Sequence, residues 1–522
     1  MNHTGLTLMV WQCLKNIAGL PSCSLGSRIL MIAALGCWLI PSLSLASPET
    51  TITQAKGPLR VLKSNPRYFS DQTGKAVYLT GMHIWNNFQD WSGQADLDYT
   101  AYLQRLESYN HNFIRMWTWE HAPVPPHQGE WPDAPSRYQR TGPETDFSGE
   151  PKFDLTKFNQ EYFDRLRARV QAAQDRGIYA SVMLFQGGSI EGKGEPVNPW
   201  LGHPFNVKNN VNGIDGDLDH DGEGKEVHTL RSPAVTAVQE AYVGKVIDTL
   251  NDFDNVLYEI SNESHRDSQE WQYHLIRYIK QYEAGKPKQH PVGMTVEYPY
   301  GDNAELFSSP ADWISPNEWA IPGRQDAEST YKMSPPPADG RKVVLADTDH
   351  LWGLGGTPEW VWKSFTRGYQ AIFMDLDEPR FAKYQKPENR ETWDSTRRAM
   401  GHILGLARRI PLQTMLPATE IASSGYCLTN RESSYVVYLP LDYYGSTRRT
   451  LAGKVLRFLF RKEMVKKIVS VDLSAATGPF LVEWLNVSTG ESVVVGTTTG
   501  GSIQNFGVPF DGAAVLYLST AK

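Results

Sequence analysis

Two rhythms of apolar residues alternate through residues 57–410. Short β-rich runs such as "AVYLTG" (76–81), "FIRMW" (113–117), "IYASVMLF" (178–185) and "NVLYEIS" (255–261) read as buried strands. Between them lie longer stretches with apolar residues three and four apart. Tyr102, Leu103, Leu106 and Tyr109 lie in 97–110, and Tyr162, Phe163, Leu166 and Val170 in 158–177. Further helices are expected over 234–253, 271–285, 358–369 and 391–410, and further strands over 291–298, 311–315, 341–347 and 370–375.

Eight strand candidates with intervening helices predict a (β/α)8 barrel over 57–414. A doubly wound sheet is the alternative, but no glycine-rich phosphate loop follows the first strand. The strand ends read "GMHIWNNFQD", "RMWTWEH", "FQGG", "SNESH", "VEYPY", "SPNEW", "ADTDHLW" and "MDLDEPR". Each is polar or aromatic, and a barrel gathers them at one mouth. From 415 to 522 the rhythm changes to short strands parted by Gly, Thr and Asn, which predicts an antiparallel β-sandwich. A basic insertion, 446–467, interrupts it and is expected to be a solvated loop.

The first 46 residues read differently. "ILMIAALGCWLI" (29–40) follows Arg28, and Ser44-Leu45-Ala46 has the small-residue spacing of a cleavage site. This pattern predicts a signal peptide over 1–46 and a secreted or periplasmic protein without stable membrane insertion. Cleavage removes Lys15, Arg28 and no acid, taking the formal charge from −7 to −9. That balance gives no footing for nucleic-acid binding. Three of the 4 cysteines leave with the signal, so the remaining Cys427 has no internal disulfide partner.

Candidate chemistry collects at the strand ends. Two carboxyls across a groove can cleave an acetal, one protonating the leaving oxygen and the other attacking or activating water. Glu263 follows strand four beside Asn262, whose amide can hold a sugar hydroxyl, while Glu259 lies one pleat deeper and orients its neighbours. Strand seven offers Asp347 at its end and Asp349 one pleat further, with His350 and Trp352 beyond. Asp347 is the first choice of nucleophile and Asp349 the second. Arg115 on strand two is placed to hold the nucleophile ionised. His83, Trp85, Asn87, Trp117 and Trp119 are candidate walls of a sugar pocket.

These residues carry a resemblance. "YEISNE" (258–263) resembles the acid/base strand of the clan A (β/α)8 glycoside hydrolases, matching Asn262 and Glu263, and Arg115 matches that clan's strand-two arginine. The clan's nucleophile is a glutamate, where this chain has Asp347. "WNNFQD", "NNVNGIDGD", "YEISNESH" and "DTDHLWG" are similar to motifs of the apiosidase-like group, in which a strand-seven aspartate is the partner. The resemblance implies a retaining hydrolase of an O-glycosidic bond in a plant or algal polysaccharide, needing no cofactor. The tail, with "VDLSAATGPFLVEWLN", resembles a collagen-binding-type β-domain. The competing expectation is a non-catalytic secreted carbohydrate- or matrix-binding protein. A protease has no footing, because there is no H-E-x-x-H and no activated Ser or Cys context.

One acidic stretch stands apart. Asp215, Asp217, Asp219 and Asp221 in "GIDGDLDHDGEGKE" alternate as calcium ligands do, but neither register completes a standard calcium loop. A structural Ca2+ there is a secondary expectation.

Overall fold

The computed structural model describes residues 55–91, 95–123, 132–191, 197–299, 301–318, 330–377, 381–382, 385, 387–443 and 467–520. The expected signal peptide and nearly all of the basic insertion lie outside these residues. Eight parallel strands form the barrel wall: β1 (Gly81–His83), β2 (Phe113–Met116), β3 (Tyr179–Gln186), β4 (Val256–Asn262), β5 (Val292–Thr295), β6 (Trp313–Ser315), β7 (Val343–Asp347) and β8 (Gln370–Met374). Pairing runs in chain order from β2 to β8 and then from β8 to β1. Helices follow as α1 (Tyr99–Ser108), α2 (Gln160–Gln174), α3 (Pro233–Leu250), α4 (Gln269–Ala284), α5 (Asn303–Ser308), α6 (Thr348–Trp352), α7 (Pro358–Thr366) and α8 (Pro387–Ala407). Their starts carry the expected caps. Asp98 accepts from Ala101 N–H, and Ser232 and Thr357 each precede a proline at the first helical position.

The seam between β1 and β2 is closed by a side chain. Asn112 Oδ1 accepts Thr80 N–H (3.0 Å), Asn112 Nδ2 donates to Tyr78 O (2.9 Å), and Asn112 N–H donates to Thr80 O (3.0 Å). Gln370 Oε1 takes Leu79 N–H (2.8 Å). Before β1, Ala76–Val77 pairs antiparallel with Phe69–Ser70 outside the barrel wall, and the N–H groups of Leu79 and Thr80 go to side chains. This explains why β1 begins at Gly81, whereas the apolar run predicts a strand from 76. Gly81 lies against β2 so closely that a Cβ would fall 1.9 Å from Phe113 O.

Side-chain alternation layers the barrel interior. Phe113, Leu257, Trp313, Leu345 and Ile372 belong to one buried apolar cluster that floors it. One pleat higher come Arg115, Glu259 and Asp347, all buried. An antiparallel hairpin, Tyr138–Thr145 with Pro151–Phe158, stands between β2 and α2. Its first strand is mostly exposed and its second buries Phe153, Asp154 and Leu155 in succession, a pattern that the apolar-run reading passes over.

The antiparallel sandwich follows. Strands β9 (Leu416–Pro417), β10 (Cys427–Thr429), β11 (Ser434–Leu439), β12 (Ile468–Asp472), β13 (Pro479–Asn486), β14 (Ser492–Thr499), β15 (Ile503–Gly507) and β16 (Ala514–Thr520) form a six-stranded sheet ordered β9-β10-β11-β16-β13-β14 and a β12-β15 pair. Val437, Val469, Val471, Phe480 and Trp484 share its core. Barrel and sandwich belong to one compact unit. Trp362 of α7 stacks on Tyr438 at 6.3 Å, and Arg409 bonds Glu483 at 2.6 Å. No helix among the described residues is long and apolar enough to cross a membrane.

The seam gives a stability prediction. Asn112→Ala leaves Thr80 N–H and Tyr78 O unpaired in a buried position, so urea unfolding should show a loss of about 3 kcal/mol. An unchanged midpoint would mean that water replaces the side chain.

Candidate active site

Arg115 sits at the centre of the charged layer and is 2% exposed. Its Nε donates to Glu259 Oε2 (2.9 Å) and its Nη2 to Glu259 Oε1 (2.5 Å). Nη2 also donates to Asn262 Oδ1 (2.8 Å), and Nη1 donates to Asp347 Oδ2 (2.9 Å). Asp349 Oδ2 lies 3.5 Å from the same Nη1. One guanidinium thus faces three carboxyls. Burial favours its neutral form, but Glu259 and Asp347 outweigh that and keep it charged.

The two aspartates differ sharply. Asp347 caps α6, its Oδ1 accepting Asp349 N–H (2.9 Å). Its Oδ2 takes Arg115 and also Nε2–H of His83 (2.8 Å). Trp117 Nε1–H donates to His83 Nδ1 (2.7 Å), which fixes the ring with its proton on Nε2. Both Asp347 oxygens are therefore committed, and the residue is 1% exposed. Burial opposes its charge, but His83 and Arg115 prevail and hold it well below the usual carboxylate range.

Asp349 lies nearer the opening. No hydrogen bond reaches its Oδ2 among the described residues. Burial, and next the charge of Glu263, push its carboxyl well above the usual range against the pull of Arg115. Glu263 is half-buried and holds a left-handed backbone, φ 48°, which costs a non-glycine residue roughly 1–2 kcal/mol. The sequence reads 347 and 349 as alternatives of one kind. The structure separates a fully bonded capping aspartate from one whose carboxyl burial and the charge of Glu263 push upward.

The remaining candidates sort by burial. Asn262 Oδ1 accepts from Arg115 and from His350 Nε2 (3.0 Å), while Nδ2 reaches Gln186 Oε1 at 3.4 Å. Burial, and next the Arg115 charge, bring the His350 ring down to about 3, so it is neutral. Asn87 is fully buried, with Nδ2 on Arg115 O (2.6 Å) and Oδ1 on Trp117 N–H (2.8 Å). It pins β2 from behind and is not a wall. His83 is likewise enclosed. Trp117 and Trp119 stack at 6.0 Å and are buried. Trp85 and Trp352 are half-buried. A cavity of about 450 Å³ is lined by Trp119, Gln89, Glu120, His121, Arg137 and Arg140.

The acidic loop brings Asp217, Asp219 and Asp221 together, with one oxygen of each within 4.8 Å of the others. These three could hold a divalent cation. Asp215 stands outside the trio, its Oδ1 accepting Asp217 N–H (3.1 Å). Cys427 is buried, and burial pushes its thiol up, away from nucleophilic use.

Glu297, two residues past β5, carries a signal that the strand-end survey does not single out. It is 2% exposed, and its carboxyl has no partner among the described residues beyond its own backbone N–H. Burial pushes it up to about 7.

Comparison with known proteins agrees with the fold. A model for a domain of unknown function (DUF6298) matches residues 127–303. No curated protein matches the chain. A structure described as a glycoside hydrolase superposes with TM-score 0.56 at 12% identity, over 89% of this chain and 97% of its own. A glycoside hydrolase family 5 structure from Bacteroides vulgatus ATCC 8482 gives TM-score 0.58 at 13% identity, over 90% and 95%. The chain thus shares the (β/α)8 fold of family 5-type glycoside hydrolases.

Glu297 yields a pH prediction. Below pH ~4.5 folded and unfolded chains are both protonated there and nothing is lost. Between ~4.5 and about 7 only the unfolded chain ionises, so stability falls, and above about 7 the cost is constant. Glu297→Gln should therefore gain about 3 kcal/mol on wild type in urea unfolding at pH 8 relative to pH 4. An equal difference at both pH values would contradict the buried, unpaired carboxyl.

Proposed function

We propose that the chain is a glycoside hydrolase, with Glu263 as acid/base and Asp349 as its partner. The observation that carries this reading is the buried Asp349 carboxyl 3.5 Å from Arg115 Nη1, whose ionisation the charge of Glu263 opposes. Two acids that cannot both ionise share a proton: it rests on Asp349 in the free protein and passes to Glu263 once substrate is bound, which leaves Glu263 able to donate it and Asp349 ionised and able to attack. Glu263 protonates the glycosidic oxygen. Asp349, with Arg115 3.5 Å away, attacks the anomeric carbon as its charge develops. Water then resolves the glycosyl-enzyme with Glu263 as base. Asp347 anchors this arrangement through α6 and is not the attacking group.

The substrate reading is a polysaccharide side chain of plant or algal origin. It is supported by the apiosidase-like motifs at Asn262, Glu263, Asp347, Asp349 and Trp352, and by the aromatic mouth. Trp85 and Trp352, half-buried beside this mouth, are suited to stacking on the apolar face of a sugar. The cavity beside Trp119 has room for a further sugar unit. The sandwich serves as a packing partner of the barrel through Trp362 and Tyr438.

The test is release of reducing sugar from a panel of pectic, hemicellulosic and algal glycans. Glu263→Gln and Asp349→Asn should each lose on the order of 10²–10⁴ of the wild-type rate. Asp347→Asn should lose thermal stability as well as rate, because its bonds to His83 and Arg115 weaken. Full activity in Glu263→Gln would remove the proposed site, and glycan binding without any release would make the chain a binding protein.

A further inference from the structure

A second buried network approaches Glu263 from both sides. Glu120 follows β2 and its side chain is 2% exposed. Its Oε1 accepts Gln186 N–H (2.8 Å), and Nε2 of His228 lies 3.2 Å away. Its Oε2 faces Arg137 Nη1 at 3.4 Å and His203 Nε2 at 3.5 Å. Burial opposes the charge on Glu120, but Arg137 and the two histidines outweigh it and hold the carboxyl well below its usual range.

From His228 the network continues. Its Nδ1 lies 3.0 Å from Ser264 Oγ, which lies 2.6 Å from Ser261 Oγ. With the His228 proton on Nε2 toward Glu120, Nδ1 accepts from Ser264, and Ser264 in turn accepts from Ser261. The His228 ring stacks on Trp271 at 4.4 Å, which fixes its plane. On the other flank, Gln186 Oε1 takes Asn262 Nδ2 (3.4 Å). Both neighbours of Glu263 in the chain are thereby tied to Glu120. The segment is also packed tightly, since a Cβ on Gly187 would fall 2.1 Å from Glu263 O. Ser264 O accepts Tyr298 N–H (3.0 Å).

We infer that Glu120, acting through His228 and Ser264, is a positioning residue that holds Glu263 in its left-handed backbone conformation at the mouth. The inference rests on the reading of Glu263 as the acid/base. Glu120 touches no substrate in this scheme. Its carboxylate is the fixed end of a chain of donors and acceptors whose other end is the backbone beside Glu263. A free-standing left-handed glutamate would relax, and the network is what opposes that relaxation.

The test has an arm that needs no activity. Hydrogen exchange of the peptide spanning 259–266 should show the 263–265 amides exchanging at least tenfold faster in Ser264→Ala and Glu120→Gln, with β3 unchanged. Ser264→Ala removes one hydroxyl and carries the test should Glu120→Gln fail to fold. Unchanged exchange in a folded variant overturns the inference. The second arm is kinetic. Both variants should lose tenfold or more on the glycan that wild type cleaves, and less than threefold on the 4-nitrophenyl glycoside of the same sugar, whose leaving group departs without a proton. Equal losses on both substrates would mark a merely structural role and overturn the inference. Full activity of Glu263→Gln defeats the acid/base reading instead, and the exchange arm then still decides whether Glu120 holds the segment.

Discussion

A single buried guanidinium organises the interior of this barrel. Arg115 is bonded to Glu259 through two nitrogens, to Asp347 through a third contact and to Asn262 through a fourth. A charge so enclosed is tolerable only when paired, and removing its partners would leave it stranded. One positive charge cannot offset three carboxyls in a space of low polarisability. Glu259 and Asp347 hold the direct hydrogen bonds, so the carboxyl left over is Asp349, and burial with the neighbouring charge of Glu263 pushes it well above the usual range. Glu263 lies on the open side of that same aspartate. The chemistry proposed for the pair is thus a consequence of a charge imbalance one pleat deeper.

The fold delivers that imbalance through alternation. Phe113 faces the floor, so Arg115 faces the charged layer and Trp117 the rim. Leu257 and Glu259 repeat the pattern on β4, and Leu345 leads to Asp347 in the same way. A shift of one residue in any of these strands would turn the charged side chain into the helix layer. The polar closure at Asn112 and the pinning of β2 by Asn87 hold that register on the side where β1 meets β2.

Much of this was legible in the residues. The eight strands were readable because each is a short apolar run ending in polar groups, and the candidate residues could be chosen because they occupy those ends. Arg115, Asn262, Glu263 and Asp349 all came from strand-end position. What the pattern could not give was partnership. Asp347 and Asp349 have the same chemistry and neighbouring positions, and only the helix cap on Asp349 N–H and the tautomer of His83 tell them apart. His83 and Asn87 sit in an aromatic strand end yet turn behind the mouth, which sequence spacing does not reveal. The Glu120 network joins residues 108 and 36 positions apart, and no local motif marks it.

The account stands on the proton held by Asp349. Infrared difference spectra of carboxyl groups, wild type minus Asp349→Asn, measure it without any substrate. A protonated-carboxyl band that persists above the ordinary carboxylate range in wild type and is missing from the variant is the expected result. A wild-type spectrum in which that band has vanished by pH 5, with the variant identical, would contradict it.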